Sequence, residues 1–163
     1  MSAIDTIDLE EYINNTITNV FDTMLSMQAS PVEAGMKDDA VARKGPRIVG
    51  SVGLSGDVMG NISIQVSDVF AREITAAMLG MEEEEIESDE EVHDVIGEIS
   101  NMVGGDLKSR LCDVGFPCSL SIPSITSGTD FKIESTGWSR HEQFALACDG
   151  HSVVIEVFIR PGG

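Results

Sequence analysis

The 163-residue chain is short of bases, aromatics, cysteines and long apolar runs, and each shortage closes off a class of function. Ten Lys and Arg stand against 28 Asp and Glu, a formal net charge of −18, which opposes phosphate backbones and argues against nucleic acid as a partner. No apolar stretch approaches the roughly 18 residues needed to cross a bilayer, so no membrane insertion is expected. The opening MSAIDTIDLEEY carries acids where a secretory leader carries bases before an apolar run, which makes a cytoplasmic chain the expectation. Cys112, Cys118 and Cys148 are odd in number, lack CxxC spacing and sit in apolar surroundings, a pattern of reduced thiols rather than of disulfides or zinc. Absent too are a GxGxxG following a strand, a Walker lysine motif, an HExxH and any cluster with metal-ligand spacing.

What is present suits one core: 42% of the residues are hydrophobic, and residues 1–163 are read as a single domain. Residues 8–28 place Ile13, Ile17, Val20, Phe21, Met24, Leu25 and Met27 mostly on one helical face. Residues 29–46 are rich in Pro and Gly and read as a long connection, with one short strand around Val32–Met36. Arg47–Val66 reads as a β-hairpin turning near Leu54-Ser55-Gly56-Asp57. Ser67-Asp68 caps a second helix whose apolar set is Val69, Phe70, Ile74, Met78 and Leu79. Eight acids fall between Glu82 and Glu91, read either as a solvated connector or as a dock for a basic partner. Ser88 and Glu91 have capping-box spacing and open a third helix that ends near Asp113, before Gly115 and Pro117. Strands are expected at Cys118–Ile122, roughly Thr129–Glu134, Phe144–Cys148 and Val153–Ile159, with Asp149-Gly150 as a hairpin turn. Helices followed by hairpins predict an α/β fold of the α+β type, a two-layer sandwich of long helices on a mainly antiparallel sheet.

The third helix carries the functional signal. At about 100° per residue, Val92, Val95, Ile96, Ile99, Val103 and Leu107 fill one arc and must face the core. Asp94, Glu98, Asn101 and Gly105 follow at i, i+4, i+7 and i+11, a single row on the opposite, exposed side. Gly97, Gly104 and Gly105 each cost up to about 1 kcal/mol inside a helix, and Asn101 is a poor helix former. A helix built only for stability would avoid them. Small residues flanking exposed polar ones suit a surface that another protein must approach closely, although a local bend is the competing explanation for Gly104 and Gly105.

The run Asp94-x-x-x-Glu98-x-x-Asn101 within DVIGEISNMVGGDLKSRL, followed by Pro123 in SIPS, resembles the signature of the CheC/CheX/FliY chemotaxis phosphatases. The segment GSVGLSGDVMGNISIQVS and the order of elements are similar to the CheX-like branch, so the likeness spans nearly the whole chain. The resemblance implies a phosphatase acting on the phosphoaspartate of a CheY-type response regulator. It implies that Glu98 anchors the regulator, that Asn101 positions the attacking water, and that Mg2+ belongs to the partner, with no cofactor in this chain. It assigns Asp94 a supporting role beside Glu98, has Pro123 shape the site, and leaves Gly104 and Gly105 to admit the partner's loops. The branch is dimeric, so a homodimer is expected, formed by strands near the C-terminal half that meet edge to edge or exchange between subunits, because a small sheet ending in apolar VVIEVFI leaves edges that must be covered.

Helix one contains Glu11-x-x-Asn14, but Ile7 and Met36 stand where a second site would need an acid and a proline, so Glu11 and Asn14 read as helix surface. His93 and His141 read as surface histidines, because water positioning needs no titrating base. One rival is a non-catalytic adaptor that binds phosphorylated receiver domains, against which the presence of both Glu98 and Asn101 argues. Another is a scaffold in which the acidic run docks a basic partner and the third helix is incidental.

Overall fold

A computed structural model describes residues 3–32, 45–129, 131 and 135–162. Among the described residues three helices, α1 (Leu9–Val20), α2 (Asp68–Leu79) and α3 (Asp89–Asp113), lie against an antiparallel sheet. The strands are β1 (Ala29–Pro31), β2 (Pro46–Gly56), β3 (Val58–Ser67), β4 (Cys118–Leu120), β5 (Ser124–Thr129), β6 (Arg140–Cys148) and β7 (His151–Pro161). Their order is β1-β6-β7-β3-β2, with β4 and β5 following one another along the free side of β2. The α+β sandwich expected from the sequence is the fold observed.

Local chemistry explains most element ends. The Ser67 hydroxyl accepts from the Phe70 amide at 3.0 Å and opens α2, as the sequence predicts. Asp149 and Gly150 both have positive φ, 50° and 79°, the backbone that a two-residue turn between β6 and β7 requires. At the start of α3 the capping box is incomplete: Ser88 makes no side-chain cap, and the Glu91 carboxylate accepts instead from the Glu87 amide at 2.8 Å. The acidic run itself is ordered around a short 3-10 turn, Glu83–Glu85, closed by the Glu82 amide donating to the Glu85 carboxylate and followed by the buried Ile86.

The core lies between the helices and the near face of the sheet. Ile13, Ile17, Phe21, Ile74, Ile96, Ile99, Leu107 and Leu111 meet Ile62, Val153, Ile155 and Val157 there. Several sequence expectations shift. Val69 and Leu79 of α2 are exposed, because Phe70, Ala71, Ile74 and Thr75 take the buried arc of that helix. Met24 is exposed as well, on the wider π-turn Phe21–Leu25 that continues α1. The first strand falls at Ala29–Pro31 rather than around Val32–Met36, most of which lies outside the described residues. Of the strand expected at roughly Thr129–Glu134, Thr129 ends β5 (Ser124–Thr129), and residues 130 and 132–134 lie outside the described residues. β7, expected to leave an open apolar edge, pairs along its length with β6 and β3 and is interior to the sheet.

Polar contacts fix the helices laterally. The Thr16 hydroxyl donates to the Asp106 carboxylate, which also accepts from Arg110 Nε at 3.0 Å, tying α1 to α3. Arg140 Nη1 donates to the carbonyls of Ile4 and Ile7 and holds the N-terminal turn against β6. The thiols are unpaired: Cys118 and Cys148 are buried, whereas Cys112 is only half-buried. Burial, reinforced by Asp149 and then Glu73, pushes the Cys148 thiol up from 9.0 to about 11. The folded state therefore holds this proton more tightly, and the stability it contributes is complete below pH 9 and is lost as pH rises from 9 towards 11. The urea midpoint should fall over that interval and fall less in Cys148→Ala; identical pH slopes for the two proteins would contradict this assignment.

Candidate active site

The site begins with how closely α3 approaches β2. A Cβ on Gly50 would stand 2.1 Å from Ser100 Oγ, and one on Gly104 would stand 2.3 Å from Val52 Cγ2. Neither distance is attainable by real atoms, so a glycine on each partner lets helix and strand touch. Ser100 is buried, and its hydroxyl is satisfied by the helix itself, donating to the Ile96 carbonyl at 2.7 Å. With Ser100, Gly104 and Leu107 turned to the sheet, 3.6-residue geometry leaves one stripe for solvent.

Asp94, Glu98 and Asn101 occupy that stripe, all exposed, while Val95, Ile99 and Val103 are buried. Among the described residues none hydrogen-bonds or pairs with the side chains of Asp94, Glu98 or Asn101. Residues at i and i+3 have Cβ atoms about 5–6 Å apart, so Glu98 and Asn101 can act on one partner group together.

Pro123 borders this row. Its Cγ lies 3.7 Å from where a Cβ on Gly97 would stand, with Ile125 Cδ1 at 3.8 Å. The register of β4 and β5 on β2 explains the placement. Leu54 pairs with Leu120, yet Ser51 pairs with Ser124, so Val52 and Gly53 face the three residues Ser121, Ile122 and Pro123. One residue is extra, which makes a β-bulge of a kind common at sheet edges beside functional sites. Gly53 and Ser121 hold the bulge on one side: the Gly53 amide donates to Ser121 Oγ at 2.8 Å, and the Ser121 amide donates to the Gly53 carbonyl at 2.9 Å.

The glycines divide. Gly104 is buried against Val52, so its small size serves the packing of α3 on the sheet rather than access for a partner. Gly105 is half-buried, with Leu120 Cδ1 at 3.8 Å from a would-be Cβ. Gly50, Ser100 and Ser121 were not singled out from the sequence. A glycine inside a predicted strand was the available sign, because it often marks a close backbone approach. Among the other candidates, Glu11 is exposed and Asn14 half-buried on α1. His141 pairs with Glu156 at 2.8 Å and stacks on Phe158, whose neighbours Val157 and Ile159 point to the helices, so it lies on the opposite sheet face from α3. No group of three or more His, Cys, Asp or Glu among the described residues could hold a metal ion. No described helix is long and apolar enough to cross a membrane.

The arrangement is thus an exposed acid and an exposed amide on one helix packed against an antiparallel sheet. Residues 48–149 match the family model for the chemotaxis phosphatase CheX, and the chain belongs to that family. It is 28% identical over 127 residues to the CheY-P phosphatase CheX of Thermotoga maritima, covering 77% of this chain and 81% of that protein. The crystal structure of the chemotaxis protein CheX from Vibrio vulnificus superposes with a TM-score of 0.79 at 26% identity, over 94% of this chain and 97% of that one. A Borrelia burgdorferi CheX, solved as a CheX-CheY-BeF3-Mg2+ complex, shares the fold with a TM-score of 0.68 at 23% identity, over 94% of this chain and 99% of that one.

The glycine geometry gives a stability test. Gly97→Ala and Gly105→Ala meet only ordinary contacts and gain helix propensity, so each should raise stability by up to about 1 kcal/mol. Gly104→Ala forces a methyl into Val52 and should cost about 1–3 kcal/mol. Urea unfolding of the three variants measures both signs, and a stabilising Gly104→Ala would contradict the packing described.

Proposed function

We propose that this chain hydrolyses the aspartyl phosphate of a CheY-type response regulator in chemotaxis signalling, with Asn101 orienting the water and Glu98 anchoring the regulator. The observation that carries the site assignment is the pairing of an exposed, unpartnered acid with an exposed amide one turn apart on the helix that belongs to the family's matched region. In this reaction the water oxygen bonds to phosphorus as the bond from phosphorus to the aspartyl oxygen breaks. The leaving carboxylate is stable as an anion, with an ordinary pKa near 3.9, so no general acid has to protonate it. What remains is to place water in line, and a carboxamide can both donate to and accept from that water. The catalytic Mg2+ is assigned to the regulator, where it supplies charge neutralisation for the phosphoryl oxygens, and none is assigned to this chain.

Glu98 is read as pairing with a lysine of the regulator, which sets the distance between Asn101 and phosphorus. Asp94 adds negative charge one turn earlier, and Pro123 fixes the wall of the site beside Gly97. Residues 1–163 are taken as a single phosphatase domain, working in the cytoplasm where response regulators are phosphorylated. A homodimer is part of the proposal, and with β7 interior, β4 and β5 are described strands of the C-terminal half that pair on one side only and could meet a second copy. Light scattering should give twice the 17.5 kDa chain mass at micromolar concentration; a mass of 17.5 kDa throughout would exclude the dimer.

The two site residues should fail differently. Asn101→Ala should leave binding of the BeF3-loaded regulator nearly intact and lower single-turnover phosphate release by about 100-fold or more. Glu98→Ala should weaken binding as well as rate, Glu98→Lys more so, and added salt should reproduce part of the Glu98 defect. Wild-type release by Asn101→Ala would remove this helix from the mechanism and favour a non-catalytic adaptor.

A further inference from the structure

We propose that Ile122 is an apolar anchor for the receiver domain that this site serves, an inference that rests on the phosphatase reading above. Its side chain is 86% exposed, more than any other large apolar group described; Val69 follows at 61%. An isolated exposed isoleucine is ordinary on a protein surface. This one is held out by the fold. The extra residue of the β4–β5 bulge lies at Ile122–Pro123, and a bulge turns its residues out of the regular alternation of the sheet.

The backbone on both sides is fixed. Ser121 exchanges two hydrogen bonds with Gly53, and its hydroxyl donates to the Ile122 carbonyl at 3.0 Å. Pro123 packs beside Gly97, and a proline restricts the residue before it to extended backbone, so Ile122 has little freedom to fold back. Ordering this side chain on binding therefore costs less entropy than ordering a loop tip.

Position and chemistry identify the occupant. Pro123 Cγ lies 3.7 Å from where a Cβ on Gly97, the residue before Glu98, would stand, which sets the bulge beside the polar row. The row supplies charge and a carboxamide but little apolar area. Protein contacts draw most of their affinity from a few apolar anchors ringed by polar groups, and Ile122 with half-buried Leu120 and Pro123 provides that element. The fitting partner presents a basic group for Glu98 and, alongside its phosphoryl group, a shallow apolar recess for Ile122. This surface would select among receiver domains by that recess rather than by the phosphate they share.

The test uses the full chain with Ile122→Ser and Ile122→Leu, titrated against a BeF3-loaded CheY-type receiver domain and assayed for phosphate release. Ile122→Ser should raise Kd and KM about tenfold or more at unchanged kcat, as expected for losing most of one buried isoleucine. The factor should be the same at low and high salt, unlike a Glu98 defect, and Ile122→Leu should stay within about twofold of wild type. Thermal melting should not move, because the side chain is exposed. Wild-type affinity in Ile122→Ser, or a fall in kcat at constant KM, overturns the anchor while leaving the phosphatase reading standing. A change of oligomeric mass in Ile122→Ser also overturns it, assigning the residue to a contact between copies. If wild type releases no phosphate, the phosphatase reading fails and the titration still decides on Ile122; if wild type does not bind the receiver either, both fail.

Discussion

The contact on which the rest depends is the close approach of α3 to β2. Two glycines make it, one on each partner: Gly50 receives Ser100, and Gly104 receives Val52. A helix that touches a strand at two points one turn apart is fixed in rotation as well as in distance. Rotation decides what the helix presents, because turning α3 by one residue would carry Asn101 about 100° around the axis, out of the exposed stripe. The Thr16–Asp106–Arg110 contacts on the α1 side hold the helix against such a turn.

Val52 links this packing to the second half of the site. It is the residue that fills the space left by Gly104, and it also faces the bulge in which Ile122 and Pro123 stand out of register. The helix presenting the polar row and the loop walling it are thus referenced to one stretch of one strand. A site fixed in this way suits the chemistry proposed above, which depends on placing a water.

Much of this was legible in the sequence, for physical reasons that differ by element. The arcs of α3 could be read because a helix with ten buried residues over 25 positions enforces its period. The Ser67 cap and the Asp149-Gly150 turn could be read because their chemistry is local. What escaped depends on partners distant in sequence. A glycine inside a strand marks Gly50 as a point of close approach, but nothing local names Ser100 as its occupant, or Gly104 as a packing glycine rather than an opening for a partner. Nor does the bulge have a local sign, because its extra residue exists only relative to the register of β2. The interior place of β7 was missed for the same reason: VVIEVFI is apolar on both faces, and the order of strands decides whether such a run is an edge or a centre.

A helix set at this distance and rotation is proposed to accelerate hydrolysis on another protein. The most direct test is the decay of a phosphorylated CheY-type receiver domain with Mg2+ present, followed as inorganic phosphate released with and without catalytic amounts of this chain. Substoichiometric chain should shorten the lifetime of the phosphoryl group and turn over many times. An unchanged lifetime, with the receiver bound to the chain, would contradict the proposal.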